Sequence, residues 1–239
     1  MTYAFSHRGV RTGSEENTLL AFERAWQVGI RHFETDVRAS KDGTVYAFHD
    51  DTLDRVTDAR GPIAEYTDAQ LATVRANGQP LCRLEELLDA FPEAMLNIDV
   101  KDESVIAPLA CLIDRRSVHE RIALASFDDK RSAAVAHLLG RPVRRSPGQR
   151  QMAQIYACAQ LLGRVPRGLL KPYWAVQIPA TYKGLPVATR RLVRAVQGAG
   201  TEVHVWVVND EAQMRRLVEF GVDALMTDRA PTLMRVLRG

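Results

Sequence analysis

The sequence predicts a (β/α)8 barrel, the TIM-barrel architecture, in which eight parallel strands form a closed cylinder inside a ring of helices. Short apolar runs typical of strands alternate with longer amphipathic stretches typical of helices along the whole chain. There are eight such strand–helix units, and 239 residues are an ordinary length for one barrel. Strands joined by helical crossovers run parallel, and eight of them favour closure.

Each predicted strand is a short apolar run, and each predicted helix has an apolar stripe. The strands are placed at residues 3–6, 32–37, 95–100, 122–127, 143–146, 174–178, 203–208 and 224–226. The helices are placed at residues 21–28, 84–91, 105–114, 130–139, 150–162, 189–199, 211–220 and 231–237. Asn17 or Thr18 is the expected cap of the first helix, because short polar side chains accept hydrogen bonds from the first turn.

The connection between the second and third barrel strands is unusually long. It covers about residues 39–92 and holds an extended piece at 45–48, a turn-rich stretch at 58–61 and the helix at 84–91. The extended piece leads directly to His49. We interpret this segment as an elaborated loop over the barrel mouth, within a single domain at 1–239.

Composition argues against several classes of protein. The net charge is only +3, so nothing demands a nucleic-acid partner. No apolar run approaches the ~20 residues of a membrane-spanning helix, and the chain begins almost directly with a strand, which leaves no room for a targeting segment. The three cysteines lack metal-ligand spacing, and an odd number fits a reducing compartment. We therefore expect a soluble cytoplasmic protein, unless a longer precursor has lost its leader.

Polar side chains gather where the first two strands end. His7 and Arg8 follow the first strand, while Glu34 and Asp36 share one face of the second, because strand side chains alternate. Two carboxylates on one face repel each other unless they are protonated or bridged by a cation. The alternative is a pair of solvated edge-strand charges, but the neighbouring His-Arg pair favours a divalent cation with oxygen ligands.

The third strand adds candidates for the same site. Asn97, Asp99 and Lys101 share one face of that strand. Asp99 is the candidate third metal ligand, beside Glu34 and Asp36. Lys101 is a candidate point charge for a phosphate oxygen, while the Arg8 guanidinium would bind phosphate as a bidentate fork. The alternative is a simple Asp99–Lys101 ion pair at the strand end.

The ordered motifs of the first 57 residues resemble the glycerophosphodiester phosphodiesterase family. No single tripeptide is specific, but the ordered set is. The motifs are His7-Arg8-Gly9, Glu16-Asn17-Thr18, Glu34-Thr35-Asp36-Val37, Lys41-Asp42-Gly43, His49-Asp50 and Leu53 with Arg55-Val56-Thr57. The resemblance spans nearly the whole chain and is weakest at residues 131–186.

Two positions depart from the family's usual pattern. Asp99 stands where the family usually has glutamate, one methylene longer, and Glu15 stands where proline is common. The aspartate changes how a metal would be coordinated, whereas the loss of proline loosens a turn without removing any chemistry.

Later motifs also match the family. Residues 204–209 resemble its penultimate-strand motif, so Trp206 is a candidate apolar wall beside the glycerol or the leaving group, with ordinary core packing as the alternative. Asn209 is interpreted as a helix cap. Ser126-Phe127-Asp128 resembles a pocket motif, with a capping role for Asp128 as the alternative. Four further histidines are interpreted as structural: His32, His119, His137 and His204.

The resemblance implies hydrolysis of a glycerophosphodiester to glycerol 3-phosphate and an alcohol, assisted by one divalent cation. Mg²⁺ and Ca²⁺ are the first candidates, followed by Mn²⁺. His7 and His49 are the expected general acid and base, in either assignment, because histidine titrates near neutrality. Arg8 and Lys101 would bind the phosphate. Glu16 is carried over as a supporting polar residue near the substrate.

Rival interpretations differ in substrate or in class. One is a lysophospholipase D that acts on lipids with one acyl chain; another is a non-catalytic phosphate-ligand-binding barrel. Retention of both histidines and all three acidic positions argues against the latter. A basic region of six arginines allows peripheral contact with anionic lipid, with a solvated face as the alternative: residues 141, 144, 145, 150, 164 and 167.

Overall fold

The computed structural model describes residues 2–11, 13 and 15–239. Its strands are β1 (Tyr3–His7), β2 (His32–Ala39), β3 (Val45–Ala47), β4 (Arg75–Ala76), β5 (Gln79–Pro80), β6 (Met95–Val100), β7 (Ile122–Ala125), β8 (Arg144–Arg145), β9 (Ala175–Pro179), β10 (Thr181–Tyr182), β11 (Leu185–Pro186), β12 (Glu202–Trp206) and β13 (Ala224–Thr227). Its helices are α1 (Leu19–Gln27), α2 (Asp68–Leu71), α3 (Leu84–Ala90), α4 (Ile106–Arg116), α5 (Asp129–Leu138), α6 (Gln149–Leu162), α7 (Arg167–Leu170), α8 (Arg190–Gln197), α9 (Glu211–Phe220) and α10 (Ala230–Arg238).

Eight strands form a nearly closed parallel barrel in the order β8, β7, β6, β2, β1, β13, β12, β9. Every neighbouring pair in that order is parallel. Between the two ends, the Trp174 N–H donates to the Arg145 carbonyl at 2.9 Å. The predicted barrel is confirmed, and the bounds predicted for its strands lie within two residues of those observed.

The core lies between the barrel wall and its helices. Phe22 of α1 packs on Phe33 of β2, with ring centroids 5.2 Å apart, and both rings are fully buried. Burial on both faces explains why the strands are continuous apolar runs and lack a clean alternation of polar residues. The buried acidic exceptions, Glu34, Asp36 and Asp99, lie toward the strands' carboxyl ends, where such barrels carry their sites.

The long segment after β2 has an apolar cluster of its own. Its members are Tyr46, Phe48, Leu53, Val56, Ile63, Leu71, Val74, Ala76 and Leu81. β3 pairs antiparallel with the end of β2, from Val37↔Ala47 to Ala39↔Val45. This pairing continues the barrel sheet into the segment and supports the single-domain interpretation, which stays a prediction. It also delivers His49 to the carboxyl end of β2.

None of the helices in the described part of the chain has both the length and the apolar character needed to cross a membrane. All three cysteines are free thiols: Cys82 is buried, Cys158 is half-buried and Cys111 is exposed.

Candidate active site

A tight turn after β1 carries His7 and Arg8 to the barrel mouth. Arg8 and Gly9 both have positive φ, 58° and 81°. The Arg8 N–H donates to the Glu34 carbonyl at 3.0 Å, which ties the turn to β2. A Cβ on Gly9 would lie 2.6 Å from the Ala21 backbone carbon, so only glycine lets the turn pack this closely against α1.

The predicted metal ligands lie at the carboxyl ends of two adjacent strands. Asp36 of β2 is the register partner of Asp99 of β6, and Glu34 is the partner of His7 in β1. Glu34 and Asp36 are buried, and Asp99 is almost fully buried, 9% exposed. Strand pairing therefore brings the three carboxylates to one end of the barrel, as predicted.

Lys101 is placed among these carboxylates. Its Nζ lies 2.7 Å from Asp36 Oδ1 and 2.7 Å from Asp99 Oδ2. Across residues 2–11, 13 and 15–239, no three acidic, histidine or cysteine side chains are arranged so that they could hold a metal ion as they stand. The ion pair weighed as an alternative for Asp99 and Lys101 is thus present, and it includes Asp36.

Burial acts to raise the pKa values of the three carboxylates, whereas the cations Lys101 and Arg8 act to lower them. Burial, together with the neighbouring Asp36, raises the pKa of Glu34 to about 8. Burial also raises the pKa of Asp99 despite the attraction of Lys101. For Asp36, burial acts in the same direction, but Lys101 and Arg8 outweigh it and hold its pKa below the usual range. Asp36 therefore favours the ionised form, whereas Glu34 and Asp99 both bind a proton more readily than a solvated carboxyl does.

Arg8 is held by two carboxylates. Its Nε lies 2.8 Å from Asp36 Oδ2, and its NH1 donates to Glu16 Oε1 at 2.9 Å. Asn17 braces the same aspartate: its Nδ2 donates to Asp36 Oδ2 at 3.2 Å, while its Oδ1 accepts from the Thr35 hydroxyl at 2.9 Å. Thr18, and not Asn17, caps α1 through the Ala21 N–H. Asn17 is therefore a site residue that the capping argument overlooked.

His7 is paired with an aspartate that follows β13, the last barrel strand along the sequence. Its Nδ1 lies 2.8 Å from Asp228 Oδ1, just after β13, and its Nε2 lies 3.9 Å from Glu34 Oε2. Burial alone would lower the pKa of His7, but Asp228 and Glu34 outweigh it and raise that pKa. Asp228 is not among the site residues predicted from the sequence.

His49 has a similar partner. Its Nδ1 lies 2.5 Å from Asp50 Oδ1, and the His49 carbonyl accepts from Arg38 Nε at 3.0 Å. Hydrogen bonds from Arg55 and His49 lower the pKa of Asp50 to about 2. The motif His49-Asp50 was noted in the sequence, but nothing there showed that the aspartate binds the ring of the histidine beside it.

The two capping interpretations have different outcomes. Asp128 caps α5 by accepting from the Lys130 N–H at 2.9 Å, as the alternative had it. The prediction that Asn209 caps α9 is wrong, because Asp210 is the cap and accepts from the Gln213 N–H at 2.7 Å. Asn209 instead donates to Asp228 Oδ2 at 2.7 Å.

Trp206 lies at the end of β12 and is half-buried. One side packs on the buried cluster of Phe5, Ala224 and Met226. Its ring also meets Phe127 edge-on at 5.8 Å between centroids, and Phe127 is 51% exposed. Trp206 therefore combines core packing with an aromatic wall that faces the end of β7.

Comparison with known proteins identifies the family of this chain. A sequence model of the "Glycerophosphoryl diester phosphodiesterase family" matches residues 7–232. The chain is 34% identical over 238 residues to the "Probable glycerophosphodiester phosphodiesterase 2" of Mycobacterium tuberculosis, covering 98% of this chain and 90% of the relative.

Solved structures share the fold. A glycerophosphodiester phosphodiesterase from Agrobacterium tumefaciens superposes with a TM-score of 0.82 at 26% identity, covering 100% of both chains. An Oleispira antarctica phosphodiesterase in complex with the product sn-glycerol-3-phosphate has a TM-score of 0.80 at 22% identity, covering 100% of this chain and 98% of that one.

The family match covers nearly the whole barrel, including both histidines and the three carboxylates. It confirms the family resemblance and the prediction of an enzyme that is a phosphoric diester hydrolase. On the strength of its fold, its mouth motifs and these matches, the chain belongs to the glycerophosphoryl diester phosphodiesterase family.

Proposed function

We propose that this chain hydrolyses glycerophosphodiesters to glycerol 3-phosphate and an alcohol, with a divalent cation and with His7 and His49 as general acid and base. One observation carries the proposal: two histidines, each with Nδ1 on an aspartate, lie at the mouth that also holds the buried carboxylates. The product bound to the Oleispira protein supports glycerol 3-phosphate as the common product.

The three carboxylates fit a divalent cation by their chemistry. Within the described residues, Glu34 Oε2 is buried without a hydrogen-bond partner, and burial beside Asp36 raises the pKa of Glu34. Both features suit a carboxylate oxygen that a hard cation would take up. We propose Glu34, Asp36 and Asp99 as the ligands of Mg²⁺, Ca²⁺ or Mn²⁺. When bound there, the ion would stabilise the negative charge that develops on the phosphoryl group.

Arg8 and Lys101 supply permanent positive charge to the same place. Their side chains are 15% and 12% exposed, and both contact Asp36. We propose that they also contact the phosphate oxygens, Arg8 through its planar fork and Lys101 as a point charge. In a site shielded from water these charges stabilise the transition state more strongly than they would in bulk solvent.

The histidines move the protons. The P–O bond to the alcohol breaks while a new P–O bond forms to the attacking oxygen. One histidine takes the proton of the attacking hydroxyl, and the other gives a proton to the leaving alkoxide. The attacking group is either water or the neighbouring glycerol hydroxyl. The second route forms a cyclic phosphate that water then opens.

The test is release of glycerol 3-phosphate from glycerophosphocholine by the wild type, with a divalent cation and after chelation. His7→Ala and His49→Ala should each lower kcat by about 10²–10⁴-fold while the fold is retained. His137→Ala is the matched control, because this histidine is exposed on α5. Near-normal turnover by either active-site variant removes that histidine from catalysis. The substrate must have an unactivated leaving group, since a good one masks loss of the acid.

A further inference from the structure

Beyond the two histidine–aspartate pairs, a chain of charged contacts leads from His7 to a buried glutamate. His7 Nδ1 lies 2.8 Å from Asp228 Oδ1. The other oxygen of Asp228 lies 3.4 Å from Arg11 NH2. Arg11 NH1 then donates to Glu16 Oε2 at 2.9 Å. Three contacts thus connect the first histidine to Glu16.

A second chain leads from His49 to the same glutamate. His49 Nδ1 lies 2.5 Å from Asp50 Oδ1. Arg55 donates to both oxygens of Asp50, from Nε at 2.5 Å and from NH2 at 2.9 Å. Arg55 NH2 also donates to Glu16 Oε1 at 2.7 Å. The two halves have the same order of residue types: histidine, aspartate, arginine, glutamate.

Glu16 is the shared centre of both chains. Its side chain is 3% exposed, whereas those of Arg11 and Arg55 are 36% and 48% exposed. Arg8 also donates to it at 2.9 Å. A buried carboxylate that accepts from three guanidinium groups holds them in one geometry, because each would repel the others without it.

The barrel itself fixes Asp228 within the series of contacts from His7 to Glu16. Asn209, just after β12, donates from Nδ2 to Asp228 Oδ2 at 2.7 Å. Its Oδ1 accepts from the Asp228 N–H at 2.9 Å and from the Thr227 hydroxyl at 3.0 Å. These bonds join the ends of β12 and β13, so the aspartate that faces His7 has little freedom to turn away.

We propose that Asp228 and Asp50 are positioning residues for the two histidines, and that Glu16 couples them through Arg11 and Arg55. Each aspartate accepts the Nδ1–H of its histidine, which fixes the ring and leaves Nε2 for proton transfer. Glu16 sets both aspartates at once, a role that goes beyond the supporting position near the substrate implied by the resemblance. The inference rests on the proposed function, since it presumes that both histidines transfer protons.

The first experiment compares Glu16→Gln with Glu15→Gln. Glu15 is equally buried but contacts Arg24 and Asn77, which belong to neither series of contacts. Glu16→Gln should lower kcat for glycerophosphocholine by about 10–100-fold, the usual effect of losing a partner behind a functional histidine, with a smaller change in KM. Glu15→Gln should keep the wild-type kcat. Equal kcat values in the two folded variants would overturn the proposal.

The second experiment reads the histidines directly and needs no turnover. ¹⁵N-detected NMR of the imidazole nitrogens reports which nitrogen carries the proton. Asp228→Asn should change His7 alone, Asp50→Asn should change His49 alone, and Glu16→Gln should change both. Histidine signals that stay unchanged in Glu16→Gln would overturn the coupling, even if the wild-type enzyme proved inactive on every diester.

Two milder variants keep the proposal falsifiable if Glu16→Gln fails to fold. Arg11→Gln and Arg55→Gln each remove one partly exposed guanidinium group that links Glu16 to an aspartate. Arg11→Gln should perturb the His7 signals and Arg55→Gln those of His49, and each should lower kcat. Wild-type spectra and kcat in both variants would overturn the proposal. Loss of kcat in His7→Ala and His49→Ala alongside that result would leave the proposed function standing.

Discussion

The barrel mouth holds three buried carboxylates and two cations within a few contacts of each other. Lys101 and Arg8 both contact Asp36, while Glu34 faces His7. A pKa near 8 for Glu34 means that this carboxyl readily takes a proton when no other cation neutralises it. A divalent ion offers the same neutralisation, so Glu34 is the residue at which metal binding can be tested most sharply.

We expect a divalent cation to raise the melting temperature of the wild type, and Glu34→Gln to remove most of that increase. A ligand that binds only the folded state stabilises it by about 2.7 kcal/mol at a hundredfold excess over its Kd. Calorimetric titration with Mg²⁺, Ca²⁺ and Mn²⁺ should show correspondingly weaker binding to the variant. Glu93→Gln is the control, because this exposed carboxylate precedes β6 at the opposite end of the barrel. Wild-type affinity in Glu34→Gln would exclude Glu34 as a ligand.

The sequence predicts contacts between residues that are close along the chain better than contacts between residues that are far apart. The alternation of strand side chains put Glu34 and Asp36 together, and their positions are as expected. Asp228 lies 221 residues from His7, and only closure of the barrel by β13 beside β1 brings the two together. Spacing along a chain carries no information about such a contact, which is why the aspartate partner of His7 was missed.

Among the elements, the turn between β1 and α1 combines close packing at Gly9 with an unusual backbone at its described residues. Arg8 and Asn17 have positive φ, which L-residues adopt at a cost, and Gly9 also has positive φ, which glycine adopts freely. The Asn17 N–H donates to the Arg8 carbonyl at 3.0 Å, which closes the loop on itself. The sequence pattern predicted the strand and the helix on either side but not the positive φ values between them, because hydrophobic periodicity carries no information about loop conformation.

Gly9→Ala should destabilise the fold more than Gly61→Ala. Both glycines have positive φ, so alanine costs about 1–3 kcal/mol of backbone strain at either position. Only at Gly9 would the new Cβ also meet backbone, 2.6 Å from the Ala21 carbonyl carbon, whereas nothing lies within 4 Å at Gly61. Urea midpoints of the two variants measure the difference. Equal losses of stability would mean that α1 shifts freely, and that the turn does not hold His7 in place.

At the scale of the whole molecule, the barrel has a polar mouth and an aromatic floor. His204 lies at the floor, fully buried, where its Nε2 is 2.9 Å from Glu202 Oε2 and 3.0 Å from the Tyr3 hydroxyl. The Trp174 ring meets it edge-on at 4.7 Å between centroids. The expectation that His204 is structural agrees with this environment, and it holds although His204 begins a stretch that resembles a motif of the family.

Burial lowers the pKa of His204, although Glu202 acts in the opposite direction. The unfolded chain therefore takes up a proton on this histidine near the ordinary pKa of about 6.5, whereas the folded chain does so only at a lower pH. Stability from this group is complete above pH 6.5 and is lost as the pH falls below it. Between pH 7.5 and 5.5 the urea midpoint of the wild type should fall more than that of His204→Gln. His137→Gln should behave as wild type, and an equal fall in all three proteins would contradict the prediction.

The charges around the mouth also bear on the size of the substrate. Beside the phosphate-binding candidates stand the exposed guanidinium groups of Arg11 and Arg55 and the carboxylates of Asp50 and Asp228. Apolar side chains at the mouth include the Trp206–Phe127 pair. The exposed side chains of Tyr182 and Leu185 lie on the β10–β11 hairpin, which follows β9 at the same end of the barrel. Because the groups beside the phosphate-binding candidates are charged, we propose a small soluble diester in preference to a lysophospholipid, whose acyl chain needs a continuous apolar groove.

We accordingly expect kcat/KM to be higher for glycerophosphocholine or glycerophosphoethanolamine than for lysophosphatidylcholine, measured with the same metal and below the micellar concentration of the lipid. Each buried methylene contributes about 0.8 kcal/mol, so a groove that engaged several of them would favour the lipid by orders of magnitude. Trp206→Ala should lower kcat/KM for the small diesters if the ring lines their site, while Trp26→Ala removes an indole on α1, away from the mouth. A strong preference for the lipid would replace the soluble diester with a lysophospholipase D substrate. It would leave the assignment of the carboxylates and histidines unchanged, because any diester with this phosphate needs the same proton transfers.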